Sequence, residues 1–352
     1  MHADPLSSLL KDLLQVPGLP GYEGRVRERL KAEWGPLVDE LHVSRVGSLH
    51  ALKRGSGTPP RRSLMLAAHM DAIGLMVSSL VDGFLRLAAV GGVGARVLPG
   101  QPVLVHAQRE LPGLIVQPPA SCLPPEKTGS VPLEHLFADV GLPPSRVRRL
   151  VRPGDPVTFA QPPLEISEDR IAGPSMDNRV SLAALTLCLQ ELQLRPHTWD
   201  VLVVATVQEE LGTVGARTSA YGLRPDLALA VDATFARGLG QPEHMTFPLG
   251  GGPTNGWGPQ VHPGIFRAIQ AAAQRIGVPT TVEPMPVSSG TDADVMQNAA
   301  GAIPTGVISI PVRYMHTPVE VASLSDIRSA GRLLAEFAAS LEADFLERLS
   351  WD

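Results

Sequence analysis

Apolar positions recur with helical spacing from about Pro5 to Glu33, and the break Gly18-Leu19-Pro20-Gly21 divides that stretch into two helices. The pattern then changes. Ser63 to His69 (SLMLAAH) is a short apolar run bounded by turn residues, as expected of a strand buried on both faces. Val201 to Val207 and Leu227 to Val231 are runs of the same kind. Between the first two lies a helical pattern, Arg179 to Leu192, and another, Gly212 to Tyr221, follows the second. Such alternation predicts an α/β fold with a sheet covered by helices.

The stretch from about Gly74 to Pro163 has a different rhythm. Short strand-like segments (LMVSSLV, FLRLAAV, QPVLVHA, GLIVQ, DPVTFA) are separated by Gly and Pro turns, which predicts a small, barrel-like all-β insertion. Helical patterns return at Gly264 to Arg275 and Leu324 to Leu349. The domain reading is therefore 1–73 and 164–352 for an α/β catalytic domain, with 74–163 inserted as a β-rich domain.

Composition narrows the function classes. The 352 residues are 44% hydrophobic and 18% charged, a globular balance, and no run approaches the ~18 apolar residues of a spanning helix. The opening MHADPLSSLLKDLL reads as an amphipathic helix, since an early Asp and an internal Lys do not fit a signal peptide. Two cysteines, Cys122 and Cys188, are too few for a disulfide scaffold and fit a reducing, cytoplasmic compartment. A net charge of −5, with no basic block beyond the RGSGTPPRR loop, argues against nucleic acid or anionic membrane as partners.

Open α/β sheets place ligands beyond the carboxyl ends of their strands. After the first buried run comes His69-Met70-Asp71, after the second Glu209-Glu210, and after the third Asp232. Asp177 opens a helix, and His316 follows the strand-like Val307 to Val312. Each has a structural explanation when taken singly. A strand-end His is commonly a hydrogen-bonded structural residue, Asp177 would serve as a helix N-cap, and a Glu pair is usually solvated. Glu209-Glu210, however, follows the mostly apolar run Val201 to Val207 after a single residue, and Asp232 lies between apolar segments where an unpaired carboxylate is expensive.

As a set, two His and three carboxylates supply what two zinc-class ions require if one carboxylate bridges: three protein ligands and one open position each. Three anionic ligands and one hydroxide offset the four positive charges. Asp71 and Glu209 remain. In an extended segment Asp71 shares a face with His69, so its carboxylate is expected to hold the imidazole's second nitrogen. Glu209, beside a ligand, is the expected general base.

These segments resemble the tetrahedral-assembly (TET) dinuclear metal aminopeptidases, a family that includes glutamyl and deblocking aminopeptidases. AAHMDAIGLMV is similar to the family's first metal motif, GPSMDNRVSLAAL to its bridging-Asp motif, and TVQEELGTVGA to its catalytic-Glu motif. AVDAT adds a carboxylate, and SSGTDADVMQ with IPVRYMHTPVEV resembles the C-terminal signature. The resemblance implies a zinc-exopeptidase-like fold and two divalent ions per subunit, zinc or cobalt foremost. It assigns His69 and Asp232 to one ion, Glu210 and His316 to the other, Asp177 to both, Glu209 as base and Asp71 as orienter. It also implies that the β-rich insertion serves assembly and substrate access, in dimers that build a hollow dodecamer acting on peptides. Two positions depart from the family pattern, Ala72 where Glu is usual and Ser48 where Asn is usual.

The alternatives are an endoglucanase, the label of some relatives, a two-metal deacylase or carboxypeptidase, and a non-catalytic assembly protein. A carboxylate-only glycosidase would leave both His unexplained. Val90 to Arg96 (VGGVGAR) lacks the pattern of a phosphate cradle and reads as a loop. Gly250-Gly251-Gly252 reads equally as a pocket wall or a flexible loop.

Overall fold

The computed structural model describes residues 4–119, 121 and 131–351; Cys122 lies outside them, and Cys188 is a buried free thiol. The chain opens with helices α1 (Pro5–Gln15) and α2 (Gly24–Trp34), then strands β1 (Glu40–Val43), β2 (Leu49–Lys53) and β3 (Ser63–His69). Next come β4 (Gly74–Val81), β5 (Phe84–Val90), β6 (Pro102–His106), β7 (Glu110–Val116), β8 (Phe137–Asp139), α3 (Pro144–Leu150) and β9 (Pro156–Phe159). After β10 (Leu164–Ser167) and β11 (Arg170–Gly173) follow α4 (Met176–Leu192), β12 (Asp200–Thr206), α5 (Val214–Leu223) and β13 (Leu227–Phe235). The last part holds β14 (Thr254–Trp257), α6 (Pro263–Ile276), β15 (Thr281–Pro284), α7 (Ala293–Met296), β16 (Thr305–Arg313), β17 (Glu320–Ser323) and α8 (Leu324–Ala339).

The main sheet has the order β1-β2-β12-β3-β13-β16-β17-β11-β10, with β14 joined to β16 and β15 to β14. Its centre is parallel, with β3 between β12 and β13 and β13 beside β16. That arrangement explains the uninterrupted apolar runs, because both faces of these strands are covered. Leu64, Leu66 and Ala68 pack with residues of α1, α4 and α8, whereas Met65 and Ala67 pack on the other face with Ala216, Ala220 and Met296. The alternation is the period of two expected of a strand.

Strands β4 to β9 close into a separate antiparallel barrel. Leu75 and Val77, Leu85 and Leu87, and Val103 and Val105 alternate into its own buried core. The fold is therefore a mixed α/β sheet covered by helices, with a closed barrel carried between β3 and β10.

Three boundaries differ from the sequence reading, each for a physical reason. The third buried run continues through Asp232 to Phe235, since Asp232 stays in register with Ser309 of β16 and only its side chain leaves the apolar layer. The terminal helix stops at Ala339. The helix-like spacing of Phe345, Leu346 and Leu349 comes instead from turns that pack on the core, with Phe345 edge-on to Trp199 and Phe337. In α4 the backbone at Asp177 and Asn178 is not helical, and the Asp177 carboxylate faces His69 and His316 rather than capping the helix.

Candidate metal centre

Parallel register brings the chemistry to one end of the sheet. His69, the last residue of β3, lies level with Thr206 of β12, so the segment after β12 passes directly over it. Asp232 projects from neighbouring β13, Asp177 from the entry to α4, and His316 from the turn between β16 and β17. All seven residues singled out in the sequence meet here. His69 Nε2 is 3.1 Å from Asp177 Oδ1 and 3.5 Å from Asp232 Oδ1. His316 Nε2 is 3.3 Å from Asp177 Oδ2 and 3.5 Å from Glu210 Oε1. Asp177 thus turns one oxygen toward each imidazole. Glu209 Oε2 stands 4.0 Å from His69 Nε2.

Asp71 acts differently from the sequence expectation. The partner of His69 Nδ1 is the backbone carbonyl of Asp71 at 2.9 Å, while the Asp71 carboxylate lies 3.8 Å away. β3 ends at His69, so the pleat no longer dictates where the next side chains point. The carboxylate instead accepts the backbone N–H groups of Glu209 at 3.1 Å and Glu210 at 3.0 Å. It therefore fixes the backbone on which the proposed base and ligand sit.

Electrostatics show a cluster that needs cations. Burial works to lower the His69 pKa, yet the carboxylates of Asp177 and Asp232 hold it well above its ordinary value. Asp177 and Glu210 raise His316 to about 11. Burial opposes ionisation of Asp177, but both imidazoles pull its carboxyl well below the usual range. Burial pushes Glu209 up to about 9 and Asp232 to about 6. These opposing pressures reflect a buried cluster in which several carboxylates face only two imidazoles and favour positive charge among them. Ligand atoms of His69, Asp177 and Glu210 lie within 4.8 Å of one another, and Glu210 Oε1 is buried with no hydrogen-bond partner. Nitrogen and oxygen donors at this spacing, one of them orphaned, fit divalent zinc-class ions.

The backbone around the site is unusual. Ser175 (φ 65°), Gln208 (φ 56°), Thr213 (φ 58°), Tyr314 (φ 58°) and His316 (φ 61°) are non-glycine residues in the left-handed region. Each costs of order 1–3 kcal/mol, and such residues cluster where surrounding structure holds a functional geometry. The VGGVGAR loop also proves less bland than its sequence: a side chain at Gly92 would stand 2.8 Å from His316 Nδ1. Gly250 and Gly252 donate to the carboxylate of Asp326 at the start of α8, and neither is among the residues lining the cavity of the centre.

Sequence reasoning passed over three supporting carboxylates. Glu320, 1% exposed, accepts from the N–H of His316 at 2.7 Å and of Asp177 at 3.2 Å. Glu23 accepts from the N–H of Gly21 and of Gln208, tying the entry to α2 to the segment before Glu209. Asp292 accepts from Thr206 Oγ1 at 2.6 Å, and burial raises its pKa to about 7. The signal for Glu320 was available, because it stands between Val319 and Val321 at the start of a buried strand.

Residues 47–333 match the profile of the M42 glutamyl aminopeptidase family. The chain belongs to this family. It is 33% identical over 337 residues to a lysyl aminopeptidase from Pyrococcus furiosus, covering 92% of this chain and 94% of that protein. Among solved structures, a TET aminopeptidase from a marine-sediment Thaumarchaeota archaeon superposes with a TM-score of 0.91 at 28% identity, covering 99% of this chain and 100% of the other. The Pyrococcus horikoshii TET1 peptidase, described as assembling into a tetrahedron or a large octahedral shell, gives 0.82 at 27% identity, covering 96% and 100%. Membership makes this M42 chain a peptide hydrolase of aminopeptidase type. Among its described residues, no helix is long and apolar enough to cross a membrane.

Proposed function

We propose that this M42 chain removes residues from the N-termini of peptides by a two-metal mechanism in the cytoplasm. The observation that carries the reading is the division of Asp177, whose two oxygens face two different imidazoles. His69 and Asp232 would hold one ion, Glu210 and His316 the other, and Asp177 both. When bound, two divalent ions such as zinc or cobalt polarise the scissile carbonyl and acidify the attacking water.

The chain's own residues do the rest. Glu209 takes the proton from the attacking water and returns it to the leaving amine. Asp71 keeps that carboxylate in place by gripping the Glu209 and Glu210 amides. The carbonyl of Asp71 also fixes the orientation of His69, so that Nε2 faces the cluster. The reaction takes place in a cavity of about 370 Å³ whose wall includes Phe235 and Met315. A carboxylate-pair glycosidase would give neither imidazole a role.

We also assign the inserted domain, residues 74–163, to self-association. Its barrel exposes Val81, Phe84 and Leu114, and the segment that follows exposes Leu164 and Ile166. Apolar side chains left outside a closed core are suited to burial against another subunit. A dimer-built dodecamer is the expected product, and light scattering at micromolar concentration should report a mass far above that of one chain.

A panel of aminoacyl chromogenic substrates tests the activity. Cleavage should vanish after chelation and return with zinc or cobalt at about two ions per subunit. Chelator-resistant activity would remove the two-metal reading.

A further inference from the structure

One charged side chain in the cavity of the metal centre has no part in the chemistry above. Glu283, on β15, lines the same cavity as His69, Asp177 and His316. Two threonines, Thr234 of β13 and Thr254 of β14, hold its carboxylate, Thr234 Oγ1 donating to Oε1 at 2.6 Å and Thr254 Oγ1 to Oε2 at 2.5 Å. Both threonines are buried, so the carboxylate is fixed. A carboxylate has about four acceptor positions, and two hydroxyls leave part of that capacity unused. Among the described residues lining the cavity there is no Lys or Arg.

The register sets the distance from the reacting centre. Thr234 lies two residues beyond Asp232 on β13, so their side chains share a face with Cα atoms about 7 Å apart. Asp232 is level with Ser309, and Ser309 with Thr254, so Thr254 stands in the same row across the sheet as Asp232. Held by Thr234, the Glu283 carboxylate therefore lies in the same cavity as the proposed ligand Asp232, beyond the Thr234 side chain on its face of β13. Phe235 and Met315 supply apolar surface in the same cavity. A fixed carboxylate beyond apolar walls suits a cation on a flexible four-carbon stem, or the longer guanidinium.

We propose that Glu283 determines side-chain preference and selects lysine or arginine as the N-terminal residue of the peptide. The assignment rests on the aminopeptidase reading of the centre. A cationic side chain gains a charge-assisted hydrogen bond at Glu283, a neutral stem leaves the carboxylate without it, and an acidic residue meets like charge.

The test compares wild type, Glu283→Gln and Glu283→Lys, all metal-loaded, on lysyl, arginyl, leucyl and glutamyl chromogenic substrates. Wild type should rank the cationic substrates first and glutamyl last. Glu283→Gln should lower the lysyl-to-leucyl ratio of kcat/KM by about tenfold to a hundredfold, the usual worth of a hydrogen bond to a charged group. Glu283→Lys should lower it further and raise the glutamyl rate. Wild type alone gives an independent readout, since free lysine should inhibit more strongly than norleucine, which keeps the stem without the charge. If leucyl or glutamyl substrates are cleaved at least as well as lysyl, or lysine and norleucine inhibit equally, the assignment of Glu283 falls while the aminopeptidase reading stands. If no aminoacyl substrate is cleaved with any ion, both fall.

Discussion

The two imidazoles of the centre are held in opposite ways. His69 ends a central parallel strand, is 2% exposed, and has its Nδ1 bonded to the chain two residues on. His316 sits on a turn with a positive φ, its side chain is 38% exposed, and its place depends on Glu320 beneath and Gly92 alongside. The first half of the site is part of the sheet itself. The second is a loop held by contacts from elsewhere in the chain. If both bind ions as proposed, the half fixed by the sheet is preorganised, while the other must keep a costly loop conformation. The ion on the His316 side should therefore leave first as a chelator is added.

Asp177 links the halves, so its removal should have the largest effect. Asp177→Ala should lose both ions and fall to background activity, whereas His316→Ala should keep close to one ion per subunit. Metal content per folded subunit is the measure. Two ions retained in Asp177→Ala would refute the bridge and leave the halves independent.

The next effect separates neighbours with identical side chains. Glu209→Gln should keep both ions and lose about 10²–10⁴-fold in kcat, the range for a positioned general base. Glu210→Gln removes a ligand from the weaker half, so its ion should be depleted and activity should return partly with excess metal. The reverse pattern, ions lost with Glu209→Gln and kept with Glu210→Gln, would exchange the two roles.

The same contrast explains what could be read from the sequence. Four of the site residues stand at or just beyond buried parallel strands, whose apolar runs mark where the sheet's chemistry begins. His69, Glu209, Glu210 and Asp232 were legible for that reason, and the barrel was legible from its short, turn-bounded strands. His316 was found, but its support Glu320 was passed over although flanking valines marked it, and Glu23 and Asp292 escaped because they act on Gln208 and Thr206, distant segments that local periodicity does not connect to them. The direction of Asp71 was misjudged where strand alternation was carried past the end of its strand. The end of α8 was misjudged because turns packing on the core reproduced a helical spacing.

The smallest effect tests the loop-held half without touching any proposed ligand. A Cβ at position 92 would stand 2.8 Å from His316 Nδ1 and 3.2 Å from Cε1, closer than ordinary van der Waals contact permits. Gly92 does not have the positive φ that would strain any replacement, so Gly92→Ala acts through that contact. The ring must move by some tenths of an ångström, or the loop must retreat. Displacement of that size in one ligand should weaken the His316-side ion by roughly tenfold, the lower end of what disturbing a ligand's support costs, and leave the His69-side ion alone. Titration of the chelated protein with zinc should then show one unchanged and one weakened binding step, with activity recovering at higher metal. Equal weakening of both steps would mean that the halves are not held separately, and the contrast between a sheet-fixed and a loop-fixed imidazole would have no energetic content.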